Sequence, residues 1–178
     1  MSKRANRCRR VFEMIEIRLA EIGDIDAIAK VLREAFGTHE NEYTPEAFAI
    51  VTPPAEEIAP RFDEGPQWVA VNDGKIVGAA SVTVENGDLY VRSVAVSPDM
   101  QGHGIGHKLL EAIDEYSVGT EFDRIFLYTT YFSTGAKELY EKHGYKWVRD
   151  TTAEEWYGVP GLEMDKRIER KKQNVVGS

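Results

Sequence analysis

The feature that most constrains this chain is an apolar segment, residues 89–96, which runs into a glycine-rich turn with an amphipathic helix directly behind it. Glycines stand at positions 102, 104 and 106. The apolar stripe of the expected helix is Ile105, Leu109, Ala112, Ile113 and Tyr116. The first turn of a helix has backbone N–H groups without helical partners and a partial positive charge, and glycines let an anion approach them. The segment therefore predicts a site for a phosphate or pyrophosphate between a strand and a helix.

Two common glycine motifs can be tested against this spacing, and neither fits. A dinucleotide-binding fingerprint reads Gly-x-Gly-x-x-Gly, but its third glycine position holds His107 here. A P-loop needs Gly-Lys followed by Ser or Thr, and no such tripeptide occurs in the chain. The sequence thus disfavours both kinds of nucleotide site.

The turn instead resembles the acetyl-CoA motif of the GNAT N-acetyltransferase superfamily. Residues 94–106 read VAVSPDMQGHGIG, which is similar to the strand end and glycine turn of that motif. Residues 17–25 (IRLAEIGDI) resemble the first strand and helix start of the family, and residues 136–145 (AKELYEKHGY) resemble its helix-to-strand motif near the C-terminus. The resemblance covers about residues 14–166. It implies one α/β domain, with a mixed, mostly antiparallel, twisted sheet of about six to seven strands flanked by about four helices.

Local patterns place the individual elements. Strands are expected at 14–20, 67–72, 75–85, 88–96, 124–130, 145–150 and 162–168. Helices are expected from 25 to 36, with Asp24 as a capping residue, around 45–51 and 55–63, and at 104–117 and 134–143. The dipeptides Asp73-Gly74 and Asn86-Gly87 predict two-residue hairpins. The strand–helix–strand unit spanning 88–130 predicts a parallel pair.

Length and composition limit the remaining possibilities. The 178 residues fit one domain, taken as 14–168, with a basic disordered extension at 1–13 and a basic tail at 169–178. The single cysteine, Cys8, excludes an internal disulfide and favours a reducing, cytoplasmic setting. No apolar run approaches the length of a membrane span. The four histidines are scattered and have no cysteine partner, so no metal is expected.

The charge is unevenly distributed. Residues 1–13 and 166–178 each carry about +4 and the whole chain −8, which leaves about −16 on the body between them. Such a surface repels nucleic acid and attracts cations. We therefore expect no nucleic-acid or membrane partner, and an acceptor that is a cationic amine of a small molecule or peptide. A homodimer stays possible at this stage.

The resemblance implies acetyl-CoA as a cosubstrate, no metal, and direct transfer of the acetyl group to a primary amine. The residues that it implies for cofactor binding are Val94, Ala95, Val96, Gln101, Gly102, His103, Gly104, Ile105, Gly106, His107, Ser133 and Tyr140. Ser133 stands where the family often has an Asn that contacts the cofactor, and the shorter serine side chain reaches less far toward it. The alternative is an acyl-CoA-binding sensor with the same fold and no turnover.

Two catalytic roles follow from the resemblance and from acid–base chemistry. Tyr140 matches the family tyrosine that protonates the leaving thiolate, although a core tyrosine with a bonded hydroxyl is the alternative. A protonated amine must lose a proton, and the candidate bases are Asp88 and Glu85. The alternative is that both are ordinary solvated residues of the hairpin.

The resemblance implies an acceptor pocket built from residues 37–64 and 150–162. Its acidic and aromatic candidates are Glu40, Glu42, Tyr43, Glu46, Glu154, Glu155, Trp156 and Tyr157. This composition is the basis for the expected cationic acceptor.

Overall fold

A seven-stranded sheet organises the part of the chain that the computed structural model describes, residues 15–170. The strands are β1 Ile15–Leu19, β2 Gln67–Asn72, β3 Lys75–Glu85, β4 Asp88–Val96, β5 Arg124–Thr130, β6 Lys146–Thr151 and β7 Gly161–Arg167. Their order in the sheet is β1-β2-β3-β4-β5-β7-β6. The β4–β5 pair is parallel and the other pairs are antiparallel. The expected mixed, mostly antiparallel sheet is therefore confirmed.

The described residues form five α-helices, at the five places that the local patterns predicted, where the resemblance implied about four. They are α1 Ile25–Gly37, α2 Pro45–Val51, α3 Ala55–Ile58, α4 Ile105–Val118 and α5 Thr134–Lys142, and short 3-10 turns include Ile22–Asp24 and Ala59–Asp63. None of these helices is long and apolar enough to cross a membrane. The expected extension at 1–13 lies outside the described residues, as do residues 171–178 of the tail. Arg170, placed in that tail, forms an ion pair with Asp123 at 3.2 Å.

The two predicted hairpins are present. Asp73 and Gly74 have φ values of 51° and 74°, and Asn86 and Gly87 have 51° and 84°. Two consecutive positive φ values give the turn a twist that matches the flanking strands. These turns fix the lengths of β2, β3 and β4.

Asp24 does not cap α1 through its side chain, contrary to expectation. Its carboxylate accepts hydrogen bonds from the Arg18 guanidinium at 2.7 and 3.0 Å and from the Glu21 backbone N–H at 2.8 Å. The reason is the 3-10 turn Ile22–Asp24, which points the side chain back toward β1 rather than along the helix.

Helices cover both faces of the sheet. Leu109, Leu110 and Ile113 of α4 are fully buried against one face. On the other face, Ile28 and Leu32 of α1 form a second cluster. The sheet therefore lies between α4 on one side and α1 on the other, and burial of these side chains is the main stabilising term.

Two irregularities in β4 shape the middle of the sheet. Ser81 pairs with Ser93 but Val82 pairs with Val91, so Arg92 is an extra residue at a β-bulge. On its other side β4 pairs with β5 only at Leu89–Ile125 and Tyr90–Phe126. Beyond Tyr90 the two parallel strands separate, which opens the sheet between their C-terminal ends.

Candidate functional site

A cleft of about 480 Å³ begins where β4 and β5 separate. The end of β4, the glycine turn and the N-terminal ends of α4 and α5 form its walls. The predicted cofactor-binding residues that line it are Val94, Ala95, Val96, Gln101, Gly102, Gly104, Ile105, Gly106, His107 and Ser133. Tyr140 lines an adjoining cavity instead. His103 lines neither, and its buried Nδ1 has no hydrogen-bond partner within the described residues.

The glycine turn has the conformation that an anion site requires. Gly102 and Gly104 have φ values of 79° and 76°, which disfavour residues with a Cβ, and Gly104 directly precedes the first residue of α4. A Cβ at Gly102 would meet open space. The side-chain amide of Gln101 donates to the Val96 carbonyl at 3.3 Å and ties the turn to the strand end.

The third glycine of the motif also serves helix packing. A Cβ at Gly106 would lie 2.9 Å from Cδ2 of Leu139 on α5. Gly106 lines the cleft as well, and its role in anion binding stays a prediction. Its missing side chain lets α4 and α5 approach each other beside the cleft.

Ser133 connects the two cavities. Its hydroxyl is 2.7 Å from the Thr130 hydroxyl, and its carbonyl accepts from the backbone N–H of Ala136 at 3.1 Å. It lines both the cleft and the smaller cavity. This places a short polar side chain where β5 ends and α5 begins.

The smaller cavity has a volume of about 100 Å³ and adjoins the cleft. The residues that line both are Phe36, Val94, Ser133 and Ala136. Six aromatic residues contribute to its wall: Phe36, Tyr43, Tyr90, Tyr128, Tyr140 and Trp156. A group entering along the cleft would thus arrive among phenol hydroxyls.

Tyr140 is both a core residue and a cavity residue. It is 7% exposed, and its ring meets that of Tyr145 edge-on at 5.9 Å. Burial raises the pKa of Tyr140 above its usual value, and the neighbouring phenols Tyr90 and Tyr43 add to the shift. The hydroxyl is therefore protonated at neutral pH and can donate a proton.

The two candidate bases occupy different surroundings. Asp88 is held by Arg124 at 3.1 Å, in a cluster where Arg124 also binds Glu163 and Asp165, both at 2.6 Å. Glu85 lies two residues after Thr83, which pairs with Tyr90, and the charge of Glu85 adds to the effect of burial in raising the pKa of Tyr90. Within the described part of the chain, neither carboxylate lines the cavity. The general base stays a prediction.

The expected acidic pocket takes a different form. Of its residues, Tyr43 and Trp156 line the cavity, whereas Glu40, Glu42, Glu46, Glu154 and Glu155 do not. Glu155 instead accepts from Arg149 and from the Thr152 backbone N–H, both at 2.7 Å. The hydroxyl of Thr44 donates to the Tyr157 carbonyl, so the two segments close on each other.

Sequence reasoning missed Arg92, which is the one charged residue among those that line the cavity in residues 15–170. The sequence contains a signal for the irregularity that inserts Arg92. Apolar residues alternate at Leu89 and Val91 and then resume at Val94 and Val96, a shift by one residue that indicates a bulge at 92–93.

These residues fit acetyl-CoA. The left-handed glycines and the helix start suit the pyrophosphate, and the separated edge of β4 offers peptide groups to an extended amide-containing arm. Residues 15–170 contain no group of three or more His, Cys, Asp or Glu residues arranged to hold a metal ion.

Comparison with curated proteins gives partial matches. The chain is 35% identical over 88 residues to the amino-acid acetyltransferase of Mycobacterium tuberculosis, covering 47% of this chain and 48% of that one. It is 31% identical over 99 residues to human N-acetylaspartate synthetase, covering 54% and 32%. The chain thus matches about half of the first relative's length and about a third of the second's.

Comparison with solved structures covers nearly the whole of each neighbour. The paia N-acetyltransferase from Thermoplasma acidophilum, solved with coenzyme A, has a TM-score of 0.73 at 20% identity over 86% of this chain and 98% of that one. The ribosomal-protein-S18-alanine N-acetyltransferase from Escherichia coli has a TM-score of 0.66 at 18% identity over 92% and 100%. At these identities the likeness shows the fold.

The sequence profile described as the acetyltransferase (GNAT) family matches residues 26–145. This range runs from α1 through the glycine turn to the end of the Tyr140 helix, and it covers more than half of the 178 residues. The chain belongs to the acetyltransferase (GNAT) family.

Proposed function

We propose that this protein transfers the acetyl group of acetyl-CoA directly to a primary amine of a small molecule or peptide. The observation that carries the proposal is the continuity between the cleft and the aromatic cavity, which share Val94 and Ser133. A thioester held along β4 by the glycine turn would present its carbonyl beside Tyr140. The family membership and the coenzyme A bound by the Thermoplasma neighbour support the same cosubstrate.

The chemistry needs a bound thioester, a neutral amine and a proton for the leaving sulfur. Acetyl-CoA supplies the activated acetyl group, so that a C–N bond forms and a C–S bond breaks. The separated backbone of β4 near Val94 offers an N–H to the carbonyl oxygen as negative charge develops there, an effect worth roughly 3 kcal/mol. Tyr140 donates its hydroxyl proton to the departing thiolate.

The proton on the incoming amine needs an acceptor. Glu85 is the favoured candidate, acting through water, since Asp88 is engaged by Arg124. The names of the relatives support amino-acid and peptide amines as the general acceptor class. The one cysteine of the sequence supports a cytoplasmic site of action.

Tyr140→Phe separates chemistry from binding. Loss of the proton donor acts on the transition state, so kcat should fall roughly 10²- to 10⁴-fold while the Kd for acetyl-CoA stays close to that of the unaltered protein. Thiol release measures turnover and calorimetry measures acetyl-CoA binding. Tyr131→Phe, at a tyrosine that is 52% exposed, is the matched control.

The rival function is an acyl-CoA sensor, which the absence of a carboxylate from the described cavity wall favours. A sensor would bind acetyl-CoA but release no thiol with any amine. If the folded Tyr140→Phe variant keeps a near-normal kcat, Tyr140 takes no part in the reaction and is a core residue.

A further inference from the structure

Two histidines meet beside the glycine turn and form what we call the histidine pair, His107 and His143. The Nδ1 of His107 on α4 lies 2.9 Å from the Nε2 of His143, the residue after α5, and the ring centroids are 5.1 Å apart. His107 lines the cleft, whereas the side chain of His143 is only 11% exposed. The histidine pair therefore runs from the cleft wall into the packed region behind it.

A carboxylate holds the inner end of the pair. The Nδ1 of His143 lies 3.4 Å from the Oδ2 of Asp114 on α4. The Lys166 ammonium of β7 donates to the Oδ1 of Asp114 at 2.5 Å and to the His143 carbonyl at 2.8 Å. Because the charges of Asp114 and Lys166 cancel, the cluster is neutral as long as both imidazoles are neutral.

This chain of hydrogen bonds determines which nitrogens carry protons. A carboxylate only accepts, so the His143 Nδ1 donates toward Asp114 and the His143 Nε2 is an acceptor. The His107 Nδ1 then donates to His143, which leaves a lone pair on the His107 Nε2 when both rings are neutral. One additional proton converts that nitrogen into an N–H donor and gives the cluster a single positive charge.

The other titratable groups around the pair have partners or opposite charges nearby. The Tyr145 ring lies 4.7 Å from the Lys166 ammonium, and burial raises the pKa of the Tyr145 phenol, so it stays uncharged. Across the cleft, His39 bonds Glu42 at 2.8 Å. Side chains of both signs also stand on the two helices, with Glu138 and Lys142 on the cleft wall and Lys108 and Glu111 beside a separate surface pocket.

An anion in the cleft would favour the additional proton. The Lys108 backbone N–H donates to the Gly104 carbonyl at 3.1 Å, so His107 stands within the first turn of α4. The partial positive charge of that turn disfavours a protonated His107 in the protein without a ligand. A phosphate reverses this balance, because it offsets the charge of the helix end and accepts a charge-assisted bond from the His107 Nε2.

We propose that the histidine pair takes up a proton when the pyrophosphate of acetyl-CoA binds, and that the His107 Nε2 then donates to the pyrophosphate. This inference rests on the acetyl-CoA binding that the proposed function requires, and not on the transfer step. His107 contacts the ligand, whereas His143 and Asp114 are positioning residues that orient its ring and stabilise the added charge. Acetyl-CoA therefore binds more tightly at mildly acidic pH than at alkaline pH.

Dephospho-CoA is the probe that isolates this effect. It keeps the pyrophosphate but lacks the 3′-phosphate, and the ionisation of a phosphate monoester near pH 6 would otherwise add its own pH dependence. We expect the Kd to rise about 5- to 20-fold between pH 6 and pH 8, because imidazoles lose their charge in this range. Calorimetry at pH 7 in two buffers of different heat of ionisation should show about half a proton or more taken up per ligand bound.

Substitutions assign the proton to the histidine pair. His107→Gln and His143→Gln should both flatten the pH dependence of the Kd, although His143 does not contact the ligand. At pH 8, where the pair is neutral, each variant should bind dephospho-CoA within about threefold of the unaltered protein. His39→Gln is the matched control, since His39 lines the same cleft but bonds Glu42, and it should keep the full pH dependence.

The proton count needs no variant, so it tests the inference even if a substitution prevents folding. No proton uptake by the unaltered protein, or an unchanged pH dependence in both folded variants, overturns the inference. Uptake with coenzyme A but not with dephospho-CoA would assign the proton to the 3′-phosphate and overturn it as well. Proton-linked binding in a protein that releases no thiol with any amine supports the histidine pair and overturns only the proposed acetyl transfer.

Discussion

Gly106 of α4 and Leu139 of α5 meet so closely that a Cβ at position 106 would stand 2.9 Å from Leu139 Cδ2. The contact brings the N-terminal end of α4 against the middle of α5 on one side of the cleft. The width of the cleft thus depends on a packing contact as well as on the glycine turn.

A double-mutant cycle tests this contact. Gly106→Val adds bulk against Leu139, and we expect it to lower the free energy of unfolding by about 1–3 kcal/mol. Leu139→Ala alone removes a half-buried side chain, whereas in the Gly106→Val background it should recover part of the lost stability, which is a non-additive result. Urea denaturation of the four proteins measures it. Strict additivity would show that the two residues do not constrain each other.

The hairpin meander was predictable because its signals are local. Asp73-Gly74 and Asn86-Gly87 fix where β2, β3 and β4 begin and end, and the structure has all three strands with the expected bounds. The parallel β4–β5 pair also followed from chain order and right-handed crossover alone.

The parts that sequence reasoning missed depend on contacts between distant segments. Glu64 and Arg92 lie 28 positions apart, and the packing of residues 64–66 on β3 brings them together. Gly106 matched a binding motif, so its contact with Leu139 could not be read from the motif. The expected acidic pocket rested on the composition of two segments, but none of the five glutamates in it lines the cavity.

The two candidate bases can be separated by neutralising each one. Asp88→Asn leaves Arg124 its bonds to Glu163 and Asp165, so kcat/KM should stay within about twofold of normal. Glu85→Gln should lower kcat/KM by about 10²-fold if Glu85 takes the amine proton through water. Steady-state kinetics across pH measures both. A large loss in Asp88→Asn with intact folding would reverse the assignment.

Tyr145 offers a test of an unsatisfied buried group. Its side chain is 1% exposed, and its hydroxyl has no hydrogen-bond partner within residues 15–170. Tyr145→Phe removes the buried hydroxyl while the ring can still stack under the Lys166 ammonium, which lies 4.7 Å from its centroid. We expect unchanged or higher stability, by up to about 1 kcal/mol. Thermal melts of Tyr145→Phe and the unaltered protein measure the difference in stability. A clear loss of stability in the variant would mean that this hydroxyl has a hydrogen-bond partner.

Alkaline pH should destabilise the protein through its buried phenols. Burial raises the pKa of Tyr90 from 10.0 to about 12. Because the folded pKa lies above the unfolded one, this contribution is complete below pH 10 and is lost as the pH rises toward 12, where the unfolded chain has already released its proton. For Tyr90 alone, the free energy of unfolding should be roughly 1.4 kcal/mol lower at pH 11 than at pH 8.

Tyr90→Phe isolates this contribution, since it removes the titrating hydroxyl and keeps the ring that stacks on Phe126 at 5.2 Å. Its stability should fall less steeply between pH 8 and pH 11 than that of the unaltered protein, whereas Tyr157→Phe, at a residue 49% exposed, should follow the unaltered protein. Urea midpoints at four or more pH values in that range would measure the slopes. Identical slopes for Tyr90→Phe and the unaltered protein would mean that the Tyr90 hydroxyl is hydrated in the folded state, and the aromatic cavity would then be open to water without a ligand.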